Sequence, residues 1–523
     1  MLQNYKRALL LILFQLNFII RKIKQIWIYK KYQNMKLKIY NTLTRTKEDF
    51  IPLMEDPNYH WPAKDFVGIY SCWPTVYYTS HIGNLRATFT ADLIRNTLKL
   101  LWYNVKAVMN ITDVGHLVSD ADEWEDKMEK WSKRDWKSAW DIAKQYEKVF
   151  KENMRELHID EFDVMPRATN HISEQIELVK ILENKWYTYK IDWDGIYMDT
   201  SKVADYGKLM WPNYKKRLAD LIAGERVEMW WKKNPTDFAL WKFSSINEKR
   251  QMERDSPWGI WFPGRHIECS AMSSKYLWQQ FDIHHWWADH ITIHHPNEIA
   301  QSECIFDVNP WVKYRVHNEF LQVDGGKMWK SLGNAYILED IKNKWYSPLD
   351  LRYFYFMAQY WNFQNFTWNV LDQAQNSRKN LIKKLSKSPI SNLFENIQSF
   401  AQIENKLKSE MWKKFRTEIM EAICDDINTP QVLSVINSYI SEPNEEIISM
   451  MHRLENNFLK VWLFDIITEE KIEIPQEVTQ LAEQRIQAKK DKNYTLADEL
   501  RNKVKDMGYE IKDTKDWFEI DKI

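Results

Sequence analysis

The chain predicts an α/β fold with a parallel sheet, split by an insertion and followed by helical domains. Three observations carry this. The apolar run Phe66-Val-Gly-Ile-Tyr-Ser-Cys72 reads as a buried strand, Leu85 to Leu101 carries helical spacing, and Val105 to Ile111 reads as the next strand. A strand, helix, strand unit of this kind implies parallel pairing. Two short elements, His81-Ile-Gly-Asn84 and Lys327-Met-Trp-Lys-Ser331, lie far apart and can build one site only if the fold returns the chain to itself. After Pro348 the remainder is helix-rich.

Residues 1–34 are basic, with one apolar run from Ala8 to Phe14 and a second at 18–20. The run is too short and interrupted for a membrane span, and no small-residue cleavage site follows it. This segment reads as an extension ahead of a start at Met35, and no stable membrane association is expected. A Rossmann-like α/β domain is expected over 35–345, with a charged helical stretch at 120–157. An insertion of strands and loops is expected at about 160–250, ending in Asn234-Pro-Thr-Asp-Phe-Ala-Leu-Trp-Lys242. Polar breaks near 384–392 and 468–476 divide the remainder into 346–392, a helical bundle at 393–468, and a small helical module at 475–523.

Lys plus Arg and Asp plus Glu are 73 each, so overall charge does not advertise nucleic acid. An RNA-binding surface must come from a local basic patch. Four cysteines in 523 residues are too few for a disulfide framework and suit a reducing cytosol. Glycine, at 12 residues, is well below the usual share of about 7%, whereas tryptophan reaches 27. Turns and phosphate-binding loops need positive φ or close backbone approach, which tryptophan does not supply.

His81-Ile-Gly-Asn84 sits where a strand leads into a helix, so free N–H groups and the helix dipole favour a phosphate. Gly83 lets a nucleotide approach the backbone. Lys327 and Lys330 supply two ammonium groups that can neutralise a departing pyrophosphate. Cys72, Cys269, His294 and Glu298 make a plausible zinc set, with His294 and Glu298 spaced to share one helical face. Taken singly, each of these cysteines reads better as a buried small hydrophobe; their placement beside the nucleotide elements favours the metal set.

The two short elements resemble the HIGH and KMSKS signatures of class I aminoacyl-tRNA synthetases. From Met35 to about Trp517 the chain resembles the cysteine-specific family, through Asn110-Ile-Thr-Asp-Val-Gly-His116, Phe262-Pro-Gly-Arg-His-Ile-Glu-Cys269, Asn297-Glu-Ile-Ala-Gln-Ser302 and Asp425-Asp-Ile-Asn-Thr-Pro430. The resemblance implies activation of L-cysteine with ATP and Mg²⁺, and transfer of the acyl group to the 3′ end of tRNA(Cys). It assigns one Zn²⁺ per subunit to Cys72, Cys269, His294 and Glu298, where the metal takes the substrate thiolate. It places His81, Gly83, Asn84, Asp289, Lys327 and Lys330 around ATP, with His81, Asn84, Lys327 and Lys330 catalytic and Thr75 at the amino acid. It implies a cytoplasmic monomer, a stem-contact region at 346–392 and an anticodon-binding module at 475–523. Metal–thiolate coordination rejects serine by ligand chemistry, so no editing domain is needed.

Departures from the family are concentrated in tryptophan. Trp73, Trp102, Trp124, Trp261, Trp286 and Trp287 stand where relatives have glycine, and Trp329 replaces the small middle residue of the KMSKS element. A genetic code in which UGA means glycine accounts for both these positions and the composition. Trp241 and Trp258, which match tryptophan in the family, should then be UGG codons. Arg265 also departs from the family, which usually has tryptophan there.

Overall fold

The computed structural model describes residues 35–58, 65–72, 79–113, 139–210, 231–243, 254–328, 333–386, 409–441, 444–463, 475–491, 493–513 and 518–522. The expectations for 1–34, for 120–138, and for Thr75, Lys330, Trp73, Trp124 and Trp329 lie outside the described residues, as does the side chain of Trp261. The chain divides into two compact units, Met1–Leu463 and Phe464–Ile523.

The larger unit opens with an antiparallel pair, β1 (Lys38–Asn41) and β2 (Thr46–Asp49). The predicted unit follows as β3 (Val67–Ser71), α1 (Ile82–Leu100) and β4 (Val105–Met109). The third element is two residues shorter than its apolar run, because Ile111 makes only a single bridge, to Arg167. Beyond it come α2 (Ala139–Glu156) and α3 (Ile172–Asn184).

The insertion carries β5 (Thr188–Ile191), β6 (Gly195–Met198), β7 (Phe238–Phe243), β8 (Arg254–Ser256) and β9 (Gly259–Pro263), an antiparallel sheet in the order β5-β6-β7-β9-β8. Two features differ from the sequence expectation. A helix, α3, stands within the segment read as strands and loops, and the sheet continues past 250 through the β8–β9 hairpin. Leu178, Val179 and Leu182 of α3 pack with Ile196, Leu240 and Trp241 on Ile267, Ala271 and Ala300. This core braces the two helices that carry the site, α4 (Arg265–Leu277) and α5 (His294–Phe306).

With β10 (Phe281–Trp287) and β11 (Val312–Asn318) the central sheet is complete, in the order β11-β10-β3-β4, all parallel. β3 and β10 are buried along their whole length, as expected of strands covered on both faces. From the β3–β10 boundary, α1 leads one way to β4 and α5 the other way to β11. The crevice beyond the carboxyl ends of these two strands is therefore a topological switch point, where open α/β sheets bind ligands.

A small sheet of β12 (Leu321–Val323), β13 (Gly326–Lys327) and β14 (Gln364–Phe366) accompanies α6 (Leu338–Asn343), α7 (Pro348–Phe356) and α8 (Trp368–Ser386). Then come α9 (Glu410–Cys424), α10 (Thr429–Tyr439) and α11 (Glu445–Leu454), whose apolar faces bury Phe415, Ile419, Val432, Ile436, Ile447 and Met451. The smaller unit pairs α12 (Gln476–Lys490) with α13 (Tyr494–Asp506). It is not wholly helical, since β15 (Tyr509–Asp513) and β16 (Phe518–Lys522) add an antiparallel pair. Val478, Ala482 and Val504 bury against Tyr509 and Ile511.

Candidate active site

Cys72 follows β3 directly, Cys269 lies on the buried face of α4, and His294 and Glu298 occupy successive turns of α5. These four predicted residues meet at the carboxyl ends of β3 and β10, with their ligand atoms all within 4.8 Å of one another. The Cys72 and Cys269 sulfurs are 3.8 Å apart, and each lies 3.6 Å from His294 Nε2. Zn–S bonds of about 2.3 Å and Zn–N bonds of about 2.0 Å in a tetrahedron place sulfurs about 3.8 Å apart, and sulfur about 3.5 Å from nitrogen. Glu298 Oε1 completes the set, 3.0 Å from His294 Nε2 and 3.7 Å from the Cys72 sulfur. The donors therefore fit a zinc ion in both chemistry and spacing.

A layer of histidines surrounds this set, and sequence reasoning missed it. His284 Nε2 lies 2.9 Å from Glu298 Oε2 and 4.0 Å from the Cys72 sulfur, where His295 Nε2 also stands at 4.0 Å. Cys72, His284, His295 and Glu298 thus form a second group with metal-ligating spacing. His266 meets His294 at 2.8 Å through the two Nδ1 atoms, which fixes the ring with Nε2 toward the thiols. His295 Nδ1 meets His317 Nε2 at 2.7 Å. The available signal was density: His266, His284, His285, His290, His294, His295 and His317 are seven of the chain's 13 histidines.

Burial and charge sort the protons. Burial pushes His284 down to about 4 and His285 down to about 3, so both rings are neutral. Burial also acts downward on His294, but the Glu298 carboxylate and the Cys269 sulfur overcome it and raise the ring to about 9. Glu298 is held well below the carboxylate range by His284 and His294 in spite of its own burial. Burial drives the Cys72 thiol upward, whereas the hydrogen bond from Cys72 pulls Cys269 downward. Cys269 is thus the more acidic thiol of the pair, and Arg315 Nη1, 3.4 Å from Glu298, adds a buried positive charge.

The first predicted turn is a capping box. His81 is the N-cap of α1, its Nδ1 accepting from Asn84 N–H at 3.2 Å, while Asn84 Oδ1 accepts from His81 N–H at 3.2 Å. Caps of this kind stabilise a helix start by about 1 kcal/mol. The second element does return to the first. Ile82 N–H donates to Tyr336 O at 2.8 Å, His81 and Ile337 form an antiparallel bridge, and Asn334 Nδ2 donates to Lys327 O at 3.2 Å. Lys327 is exposed on β13, its Nζ 5.7 Å from the Phe320 ring centroid. Asp289 lies in the short helix after β10. Burial raises its carboxyl, against the charges of His294, Arg265 and Lys327. Trp287 also stands here, its ring 6.0 Å from that of His81.

Residues 60–376 match the family described as tRNA synthetases class I (C) catalytic domain. A cysteine-tRNA ligase of Treponema denticola is 40% identical over 499 residues, covering 92% of this chain and 98% of that protein. The chain belongs to the cysteine-tRNA ligase family. A member from Thermococcus gammatolerans is 36% identical with the same coverage of both chains. The Mycobacterium tuberculosis methionyl-tRNA synthetase in complex with methionyl-adenylate shares the class I fold, with a TM-score of 0.52 at 12% identity over 76% of this chain and 89% of that one. Among the described residues, no helix is long and apolar enough to cross a membrane.

Proposed function

We propose that the crevice between β3 and β10 activates L-cysteine with ATP and passes it to tRNA(Cys), with zinc as the resident metal. The observation that supports this most directly is the cluster of Cys72, Cys269, His294 and Glu298 set beside the His81–Asn84 turn. Cys72, Cys269, His294 and Glu298 would hold the zinc, which would supply a thiolate-preferring Lewis acid able to take the substrate side chain as an added ligand. The surrounding neutral histidines keep the pocket polar but not anionic, which suits a substrate that enters with a carboxylate.

In the first step a cysteine carboxylate oxygen attacks the α-phosphorus of Mg²⁺-bound ATP, and the bond to the β,γ-pyrophosphate breaks. The Gly83 N–H in the first turn of α1 and the His81 imidazole would meet phosphate oxygens as charge builds. Lys327, with Lys330 three residues further along the same element, neutralises the leaving pyrophosphate. Asp289, its carboxyl raised by burial, holds the adenosine by hydrogen bonding. In the second step a 3′-terminal ribose hydroxyl of the tRNA attacks the acyl carbon, and AMP leaves.

Cysteine-dependent ATP–pyrophosphate exchange tests the reading. Exchange that is supported by cysteine, absent with serine, and lost with metal on chelation agrees with it. Equal exchange with both amino acids would remove the role of the sulfur-binding set.

A further inference from the structure

Three helices of the larger unit end on a tryptophan at a backbone position that asks for glycine. After α1, Trp102 has φ 70°, its N–H donates to Lys99 O at 2.9 Å, and Tyr103 N–H donates to Leu98 O at 3.0 Å. After α3, Trp186 has φ 64° and donates to Glu183 O at 2.9 Å, while Tyr187 donates to Leu182 O at 3.0 Å. After α6, Trp345 has φ 66° and donates to Lys342 O at 2.9 Å, with Tyr346 to Ile341 O at 3.3 Å. This paired pattern is the Schellman ending, whose left-handed residue is usually glycine.

The chain contains its own control. α13 ends on Gly508, φ 84°, whose N–H donates to Lys505 O at 2.9 Å, the counterpart of the tryptophan N–H bonds above, and which is followed by Tyr509. Trp-Tyr therefore stands three times in the place where Gly-Tyr stands once. Trp278, with φ 74°, closes α4. Left-handed backbone is a steric outlier for a bulky residue, and burial of the indole offers no compensation. Trp186 is 80% exposed and Trp345 94% exposed. Trp241 behaves differently: it is fully buried and packs against Trp258 with ring centroids 5.5 Å apart.

The same substitution obstructs the site. Trp286 and Trp287 end β10 and are both buried. A Cβ built on Gly83 would lie 2.9 Å from Cη2 of Trp287, so this indole lies against the turn that a nucleotide has to approach. Its Nε1 is buried without a hydrogen-bond partner.

We propose that the working enzyme carries glycine at 102, 186, 278, 286, 287 and 345, because the cell that makes it reads UGA as glycine. Glycine at 286 and 287 opens the nucleotide subsite in front of His81–Asn84. This last clause rests on the cysteine-activating reading; the backbone argument does not.

The test is peptide mass spectrometry of the protein purified from its native cell, joined to the codons of its gene and to cysteine-dependent exchange by the same preparation. Glycine masses and UGA codons at the six positions, with tryptophan masses and UGG codons at 241 and 258, are expected. Tryptophan in the native peptides at 287 and 345 overturns the proposal, whether or not exchange is observed. Glycine at those positions without any exchange leaves this inference standing and overturns the functional reading. Recombinant chains separate the subsite clause: Trp286→Gly with Trp287→Gly is expected to raise exchange at least tenfold over the all-tryptophan chain, and no gain refutes the obstruction.

Discussion

Glu298 offers the sharpest perturbation. Its carboxylate is fully buried and meets three cationic or ionisable partners: His284 Nε2 at 2.9 Å, His294 Nε2 at 3.0 Å and Arg315 Nη1 at 3.4 Å. Glu298→Gln keeps the shape and removes the charge. Arg315 is itself buried and its Nη2 has no hydrogen-bond partner, so the variant leaves a positive charge uncompensated in the core. Breaking one side of a buried pair costs about 3–5 kcal/mol. For a chain of this length that lowers the urea midpoint of metal-free protein by about 1 M at unchanged m.

The assay is urea unfolding after exhaustive chelation, with bound zinc per chain measured separately before chelation. Glu298→Gln is expected to lose both the metal and the stability. Arg315→Met in the Glu298→Gln background should recover most of the stability but none of the metal. A metal-free Glu298→Gln protein that unfolds within about 1 kcal/mol of the parent would refute the assignment of Glu298 as the charge that balances this cluster.

Glu455 is buried, and burial pushes its carboxyl up to about 7 against an ordinary 4.5. The folded state therefore keeps a proton that the unfolded state has released: its contribution is full below pH 4.5, falls as pH rises through 7, and loses about 3 kcal/mol across that window. Thermal unfolding of Glu455→Gln should lack this slope. Lys327→Ala is expected to slow cysteine-dependent exchange about 10²–10³-fold with little change in KM for cysteine, and a change confined to KM would count against a transition-state role. Replacing the exposed Arg501, Lys503 and Lys505 of α13 by alanine should raise the KM for tRNA and flatten its salt dependence by about two counterions, while pyrophosphate exchange is spared.

The parts of the fold that were legible in the sequence are those where one physical signal dominates. β3 was visible because a strand covered on both faces must be apolar throughout, and α1 because it carries helical spacing behind a capping turn. Cys72, Cys269, His294 and Glu298 were legible because soft ligands at helical and strand-end spacing sit beside nucleotide elements. The histidine layer was not, because each of those residues taken singly reads as an ordinary polar side chain and only the sheet brings His284 and His317 to α5. In the insertion, α3 carries Leu178, Val179 and Leu182 at helical spacing, but that signal was absorbed into a segment dominated by strand-like runs. The β8–β9 pair escaped notice because a three-residue strand holds too few residues to show a period.

The tryptophans are a different kind of disagreement. A sequence that specifies a fold shows local propensity, capping, packing and site chemistry pointing the same way. Here they agree nearly everywhere: His81 and Asn84 cap α1, Leu178 and Trp241 fill the insertion core, and the metal donors sit at zinc spacing. The backbone conflict is weighted toward one residue type: among the described residues, tryptophan holds five of the twelve non-glycine positions of positive φ, Trp102, Trp186, Trp278, Trp345 and Trp462. Holding a non-glycine residue in the left-handed region costs about 1–2 kcal/mol, so Trp102, Trp186, Trp278 and Trp345 together cost about 4–8 kcal/mol, as much as the whole net stability of many domains. Local strain is tolerated where it serves a site, yet Trp186 and Trp345 are largely exposed to solvent, and Trp287 lies against the turn it would have to serve. Strain that is repeated, costly and without a function is what a mistranslated codon produces and what selection on a protein removes.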